Sequence, residues 1–192
     1  MPRYIHHLSR NTRSIRRFRE SYPVTEKLMT EWVDNARLTA SAKNLQPLKY
    51  HLVTGKEDCA KVFETCAWAG YLTDWDGPVE GERPTGFIVM ACDTAIAKPN
   101  QACFDAGIAA QTILMGAVEE GFGGCIIQSF KKSALEDAVS FPEGLEPMFV
   151  IALGKPIEDV RLVEMENNSH EYYRDENKVH FVPKRSLEEV LF

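Results

Sequence analysis

The sequence lacks the patterns that mark several common protein classes. Its 192 residues contain no apolar run near the ~20 residues of a membrane helix and no apolar N-terminal core of a secretory signal. A Walker phosphate loop and an H-E-x-x-H zinc motif are absent, and the five histidines lack metal-ligand spacing. We therefore expect no membrane association and no metal site. The expected location is the cytoplasm.

The cysteine and glycine patterns narrow the choice further. Five cysteines form an odd set without a C-x-x-C pair, which favours reduced, buried thiols over disulfides and over a catalytic thiol. Gly121, Gly123 and Gly124 do not begin a G-x-G-x-x-G motif, because Ile126 stands at the sixth position. They follow a predicted helix, so a helix C-cap leading into a strand is favoured. A dinucleotide-binding Rossmann domain is disfavoured.

Charge is distributed unevenly along the chain. Residues 1–19 hold six arginines and no acid, whereas the remainder has 16 basic and 28 acidic residues (22 − 6 = 16), a balance of −12. The acidic remainder disfavours nonspecific binding of nucleic acid. A concentrated basic patch favours a small anionic ligand. Three alternatives are a solvated charged surface, a mitochondrial transit peptide, and an RNA-binding arm with salt-sensitive affinity.

Hydrophobic periodicity predicts one domain, residues 1–192, of the α+β class. Short strands separate helices irregularly, unlike the regular alternation of a doubly wound sheet. The predicted strands are Tyr50–Val53, Phe87–Cys92, Cys125–Ile127 and Met148–Leu153, and the predicted helices are 25–40, 57–68, 102–120, one opening at Ser133 and one opening at Ser186. Residues 163–179 show little periodicity and are expected to wrap a surface.

The helix predicted over 102–120 is apolar around most of its circumference. Such a helix must be buried, either in the core or against a second subunit. Its small residues, such as Ala106, Ala109 and Gly116, would permit close helix approach. The pattern alone does not distinguish a helix in the centre of the domain from a helix at a dimer interface, and both interpretations stand equally.

Donors suited to phosphate occur near both ends of the chain. Arg13, Ser14 and Arg16 lie in one short segment, and Lys184 and Arg185 lie in another. Guanidinium groups form forked, charge-assisted hydrogen bonds to phosphate oxygens.

Five sequence features, taken in order from about residue 11 to residue 190, resemble the nitroreductase family. The features are Arg13-Ser14-Ile15-Arg16, Ser41…Asn44-x-Gln46-Pro47, Asp105…Gln111, Gly121-Phe122-Gly123-Gly124 and Leu153-Gly154-Lys155-Pro156. The resemblance implies a nitroreductase-like FMN-binding fold with a central, mainly antiparallel sheet of four to five strands flanked by helices. It also implies a homodimer with FMN at the interface, and it makes the N-terminal arginines part of the fold rather than a transit peptide.

The same resemblance implies a role for each matching residue. Arg13, Ser14 and Arg16, helped by Lys184 and Arg185, would bind the FMN phosphate, and Ser41, Asn44 and Gln46 would approach the flavin from the partner subunit. Ile126, Ile127 and Gln128 would run beside the flavin ring, Asp105 would contact the ribityl chain or the ring, and Trp68 and Tyr71 would line the substrate pocket or belong to the core. No protein residue is expected to be catalytic, because flavin N5 carries the chemistry.

The function implied is an FMN-dependent oxidoreductase with a ping-pong mechanism. Hydride would pass from NADH or NADPH through the flavin to a nitroaromatic, a quinone or an enone. The alternatives are other flavin chemistry on the same fold, namely dehalogenation or flavin breakdown, and a flavin reservoir or sensor without turnover. Ile126 stands where many relatives have an aromatic residue, so the resemblance does not determine which substrate the protein uses.

Overall fold

A computed structural model describes residues 4–192, and Arg3 of the basic segment lies outside them. The helices are α1 (Tyr4–Asn11), α2 (Glu26–Arg37), α3 (Lys56–Phe63), α4 (Pro99–Glu119), α5 (Lys132–Ala138) and α6 (Leu187–Val190). The strands are β1 (Leu48–Val53), β2 (Gly86–Asp93), β3 (Gly123–Ile127), β4 (Leu145–Gly154), β5 (Val160–Glu164), β6 (Tyr173–Arg174) and β7 (His180–Lys184). No helix in the described part of the chain is long and apolar enough to cross a membrane.

The central sheet has four antiparallel strands in the order β1-β2-β4-β3. This confirms the predicted α+β class and the mainly antiparallel sheet of four to five strands. A second sheet, ordered β5-β7-β6, lies within residues 160–184. The sequence did not predict its strands, because they are short and only partly buried.

Helices cover both faces of the central sheet, which explains why β2 is apolar throughout. Trp32 of α2 and Ile113 of α4 pack with Ile88 in one apolar cluster. Val62 of α3 and Leu135 of α5 pack in a second cluster. Successive side chains of a strand point to opposite faces, so an apolar run is what a strand between two helix layers requires.

The N-terminal arginine segment runs along the outer edge of β3. Ser14 bridges Gly124 in the parallel sense, and the N–H of Ile15 donates to the carbonyl of Gly124 over 2.9 Å. Further on, Phe18 is fully buried and bridges Pro156, just after β4. The fold therefore places the basic segment beside the end of the central sheet.

Gly124 marks a close approach of β3 to its neighbours. A Cβ there would lie 2.3 Å from the carbonyl oxygen of Ala152 and 2.9 Å from Leu114. Since main chain cannot move as a side chain can, we expect Gly124→Ala to lower the free energy of unfolding by about 1–3 kcal/mol. Urea denaturation measures this. Gly123→Ala is the control, because its Cβ would meet only side chains, at 3.1 Å; equal losses for both variants would contradict the close approach.

Candidate functional site

A cavity of about 410 Å³ opens where β3 ends, and we call it the Arg16 cavity. It brings together four residues that the sequence predicted for cofactor binding, and it adds the predicted pocket residue Trp68. Its lining is Arg16, Ala67, Trp68, Ala69, Gly70, Cys125, Ile126, Ile127, Gln128, Ser129 and Tyr172.

Arg16 carries a buried positive charge that faces this cavity. The residue is 9% exposed, and among residues 4–192 no carboxylate forms an ion pair with it. Its guanidinium donates one long hydrogen bond, 3.3 Å to the carbonyl of Ser14, and lies 5.0 Å from the ring centroid of Tyr172. A buried charge without a counterion is costly unless a ligand supplies one. The geometry therefore favours an anionic or oxygen-rich ligand.

Two residues of the cavity lining, Gln128 and Ser129, have main-chain donors that are free. β3 stops pairing with β4 at Ile127, and the chain then leaves the sheet. Within the described chain, the N–H groups of Gln128 and Ser129 donate no hydrogen bond, whereas the carbonyl of Ser129 accepts from the N–H of Ala67 over 2.8 Å. These free N–H groups and the Arg16 guanidinium are positive hydrogen-bond donors around one cavity.

Glu158, which does not line the cavity, binds the main chain of Arg16. Its Oε2 accepts the main-chain N–H of Arg16 over 2.8 Å, and its Oε1 pairs with Arg174 and lies 3.3 Å from Nδ1 of His180. Burial would raise the pKa of the Glu158 carboxyl, but His180, the Arg16 N–H and the charge of Arg174 hold that pKa at about 2. Sequence reasoning missed Glu158 and its partners Arg174 and His180, because none of the three belongs to a recognisable motif.

Aromatic side chains form one wall. Trp68 is half-buried, lines the cavity and packs on Phe63, with ring centroids 5.4 Å apart. Tyr71 is exposed, and its ring centroid lies 5.0 Å from that of Tyr172. The Tyr71 hydroxyl lies 3.0 Å from Nε2 of His170. Tyr172, which was not predicted, is thus the second aromatic residue of the wall, and Tyr71 supports it.

Ser41, Gln46 and Asp105 lie in a different region, beside a cavity of about 190 Å³. The buried Asp105 carboxylate accepts the Ser41 hydroxyl over 2.5 Å and the Ala42 N–H over 3.0 Å, and the Gln46 N–H donates to the Ser41 oxygen over 2.9 Å. In this chain Asp105 therefore shapes the loop 41–46.

That loop holds an unusual backbone conformation. Lys43, Asn44 and Gln46 have φ values of 52°, 56° and 52°, and all three side chains are exposed. Left-handed conformations in residues other than glycine cost free energy and concentrate at functional sites. Hydrogen bonds to Asp105 and Ser41 thus fix the loop 41–46, while the side chains of Asn44 and Gln46 are exposed to solvent.

Asp105→Ala should release this loop. Because two donors lose their acceptor, we expect hydrogen exchange at the amides of Ala42 and Gln46 to become about tenfold faster or more. Exchange measured by NMR or mass spectrometry tests this, with the exposed Asp74→Ala as control. Unchanged exchange at Ala42 would mean that Asp105 does not hold the loop.

The remaining predicted residues lie outside the Arg16 cavity. Ser14 is exposed at the edge of β3. Lys184, the last residue of β7, and Arg185, which follows it, are exposed, and Arg185 pairs with Glu189. Arg13 lines another cavity of about 410 Å³, donates to the carbonyl of Ser9 over 2.8 Å, and has a pKa lowered by burial. One copy of the chain thus brings none of these residues to the lining of the Arg16 cavity. Within residues 4–192 no cluster of His, Cys, Asp and Glu is arranged to hold a metal ion.

Comparison with known proteins identifies the fold. Residues 10–155 match the model of the nitroreductase family. Similar solved structures include a nitroreductase family protein from Streptococcus pneumoniae, with 17% identity, TM-score 0.68 and 98% of both chains covered. An FMN-dependent nitroreductase from Clostridium difficile has 23% identity and TM-score 0.63, with 91% of this chain and 96% of that chain covered. A protein from Exiguobacterium sibiricum in complex with FMN has 16% identity and TM-score 0.69, with 85% and 93% covered.

Proposed function

Since the chain belongs to the nitroreductase family, we propose that it is an FMN-dependent oxidoreductase that transfers hydride from NADH or NADPH to a small organic acceptor. The observation that carries the proposal is Arg16, a buried cation without an ion-pair partner among the described residues, facing a cavity. The similar structures that are FMN-dependent or complexed with FMN support the choice of cofactor.

The residues of the Arg16 cavity fit FMN. A flavin presents a line of oxygen and nitrogen acceptors along one edge of an apolar ring, and Arg16 with the N–H groups of Gln128 and Ser129 offers matching donors. Ile126 and Trp68 offer apolar surface. FMN, when bound, would supply N5, the atom that accepts and returns hydride. The chain's part is to hold the cofactor and to stabilise the negative charge that accompanies its reduction.

We further propose a ping-pong cycle in which the nucleotide leaves before the acceptor binds. Trp68 and Tyr172 line the cavity that both would enter in turn, and they offer flat apolar surfaces. Such walls suit a nitroaromatic, a quinone or an enone. The phosphate roles of Arg13, Ser14, Arg16, Lys184 and Arg185 remain predictions.

A homodimer would explain why the predicted residues lie in two separate regions. Phe104 and Ile108 on α4 are 82% and 44% exposed, close in sequence to Asp105, which shapes the loop 41–46. Exposed apolar residues on a well-packed helix indicate a surface that another molecule covers. We propose that a second copy covers α4 and brings its loop 41–46 to the Arg16 cavity, so that Ser41, Asn44 and Gln46 complete the site.

Phe104→Glu should disrupt that dimer. A charge buried at the centre of an apolar interface has no partner, so we expect a monomer at concentrations where the unmodified protein is dimeric, with weakened FMN binding. Light scattering coupled to gel filtration measures the mass. Ser133→Glu adds the same charge at an exposed position of α5, which packs on the other face of the central sheet, and is the control. A Phe104→Glu variant that stays dimeric would contradict this interface.

Anaerobic reduction tests the proposed activity. The FMN-loaded protein should lose its absorption near ~450 nm on addition of NADH or NADPH, and a quinone or nitroaromatic should restore it. Parallel initial-rate lines at several acceptor concentrations would support the ping-pong order. Flavin that stays bound but is reduced by neither nucleotide would contradict the oxidoreductase and favour a flavin reservoir or sensor.

A further inference from the structure

A second cavity, which we call the Arg83 cavity, lies apart from the proposed flavin site. Its volume is about 420 Å³, within the range of small-molecule pockets. It shares no lining residue with the Arg16 cavity. Its walls come from α3, from the segment before α2 and from the loop before β2, and they comprise Glu20, Ser21, Pro23, Val24, Gly55, Lys56, Cys59, Ala60, Phe63, Glu80, Gly81, Arg83, Pro84 and Thr85.

Arg83 provides the polar feature of this cavity. The face of its guanidinium lies 4.5 Å from the ring centroid of Phe63. Its Nε is buried and has no hydrogen-bond partner, and within residues 4–192 no carboxylate forms an ion pair with it. Phe63 thus covers the face of the guanidinium, and the buried Nε–H on its edge still requires an acceptor.

Two cations and two carboxylates line the Arg83 cavity, and among the described residues neither cation has an ion-pair partner. Lys56, also in the lining, forms no ion pair with any described residue. The lining also contains Glu20 and Glu80, but Glu20 already accepts the main-chain N–H groups of Gly81 over 2.6 Å and of Arg83 over 3.4 Å. The Glu20 carboxylate is therefore engaged with the loop rather than with the Arg83 side chain.

We propose that the Arg83 cavity binds a small aromatic carboxylate. The carboxylate would accept two parallel hydrogen bonds from the guanidinium edge, with Lys56 adding a second positive charge. The aromatic body would lie against Phe63, Val24 and Pro84. This proposal does not rest on the proposed redox function, because it needs neither FMN nor a second copy of the chain.

Calorimetric titration of the flavin-free protein tests the proposal with 1-naphthoate and its neutral analogue, naphthalene-1-carboxamide. We expect 1-naphthoate to bind about tenfold more tightly than the amide, because charge-assisted hydrogen bonds are stronger. Arg83→Gln keeps a donor but removes the charge and the forked pair of donors, so it should remove most of the difference between the two ligands, with Lys56 accounting for the remainder. Arg161→Gln, an exposed arginine outside this cavity, should leave both affinities unchanged.

A second variant tests the location. Ala60 lies on the α3 wall, and Ala60→Trp would fill the cavity and should eliminate binding of both ligands. Absence of binding at millimolar concentration, full affinity in Arg83→Gln or Ala60→Trp, or competition by FMN would each overturn the proposal. Competition by FMN would place the ligand in the Arg16 cavity instead.

Discussion

Replacing Glu158 with alanine is expected to lower the free energy of unfolding by about 3–5 kcal/mol. The carboxylate is fully buried and joins the N-terminal segment at Arg16 to the paired strands β6 and β7 at Arg174 and His180. Its removal leaves the largely buried Arg174 guanidinium without its ion-pair partner, and it frees the Arg16 main chain.

Urea denaturation of Glu158→Ala measures this loss. The control is Glu164→Ala, an exposed glutamate on β5 that is expected to change stability by less than about 0.5 kcal/mol. A loss for Glu158→Ala no larger than that of the control would mean that the buried cluster does not join these segments.

The Glu158 carboxylate also makes the free energy of unfolding depend on pH in the acid range. The pKa of Glu158 is about 2 in the folded chain, below the ordinary value of 4.5 that the unfolded chain retains. The unfolded chain therefore binds the proton first as the pH falls, so the contribution is complete above about pH 5 and is lost progressively towards pH 2. A shift of this size corresponds to roughly 3 kcal/mol.

The urea concentration at the midpoint of unfolding, measured at several pH values between 6 and 3, tests this dependence. Glu158→Gln has no proton to bind, so its stability should fall less steeply with acid than that of the unmodified protein. Identical slopes in the two proteins would place the acid sensitivity in other carboxylates.

Arg16→Ala is expected to weaken FMN binding by roughly 10- to 100-fold. That range corresponds to the loss of a hydrogen bond to a charged group, about 1.5–3 kcal/mol, inside a cavity where water competes poorly. Arg16→Lys should fall between the alanine variant and the unmodified protein, because an ammonium keeps the charge without the planar fork.

Quenching of FMN fluorescence during titration measures the affinity. Arg19→Ala is the matched control, because Arg19 belongs to the same basic segment but is exposed and lines neither the Arg16 nor the Arg83 cavity. Equal FMN affinity for Arg16→Ala and Arg19→Ala would remove the phosphate or ring contact proposed for Arg16.

The central sheet was predictable from the sequence because its physical cause is local. A strand buried on both faces must be apolar at every position, and the runs around Phe87 and Met148 show this directly. The strands of residues 160–184 are short and only partly buried, so they leave no such run. Helix α1 was not predicted either, since only Leu8 of its side chains is buried.

The sequence predicted those parts of the candidate site that are formed by residues adjacent in the chain. Arg16 and the stretch from Ile126 to Gln128 were named from the family resemblance, and the fold brings them to one cavity. Glu158 and Tyr172 could not be predicted, since the contacts that define them join residues more than 100 positions apart. The cofactor contact predicted for Asp105 stays a prediction, and its carboxylate accepts hydrogen bonds from Ser41 and Ala42 of the loop 41–46.

The most direct test of the proposed function is the visible absorption of the protein after incubation with FMN and gel filtration. We predict that absorption near ~450 nm elutes with the protein and is bleached by NADH or NADPH under anaerobic conditions. Elution of all the flavin at the volume of free FMN would contradict the proposal, and the buried charge of Arg16 would then require a different anion.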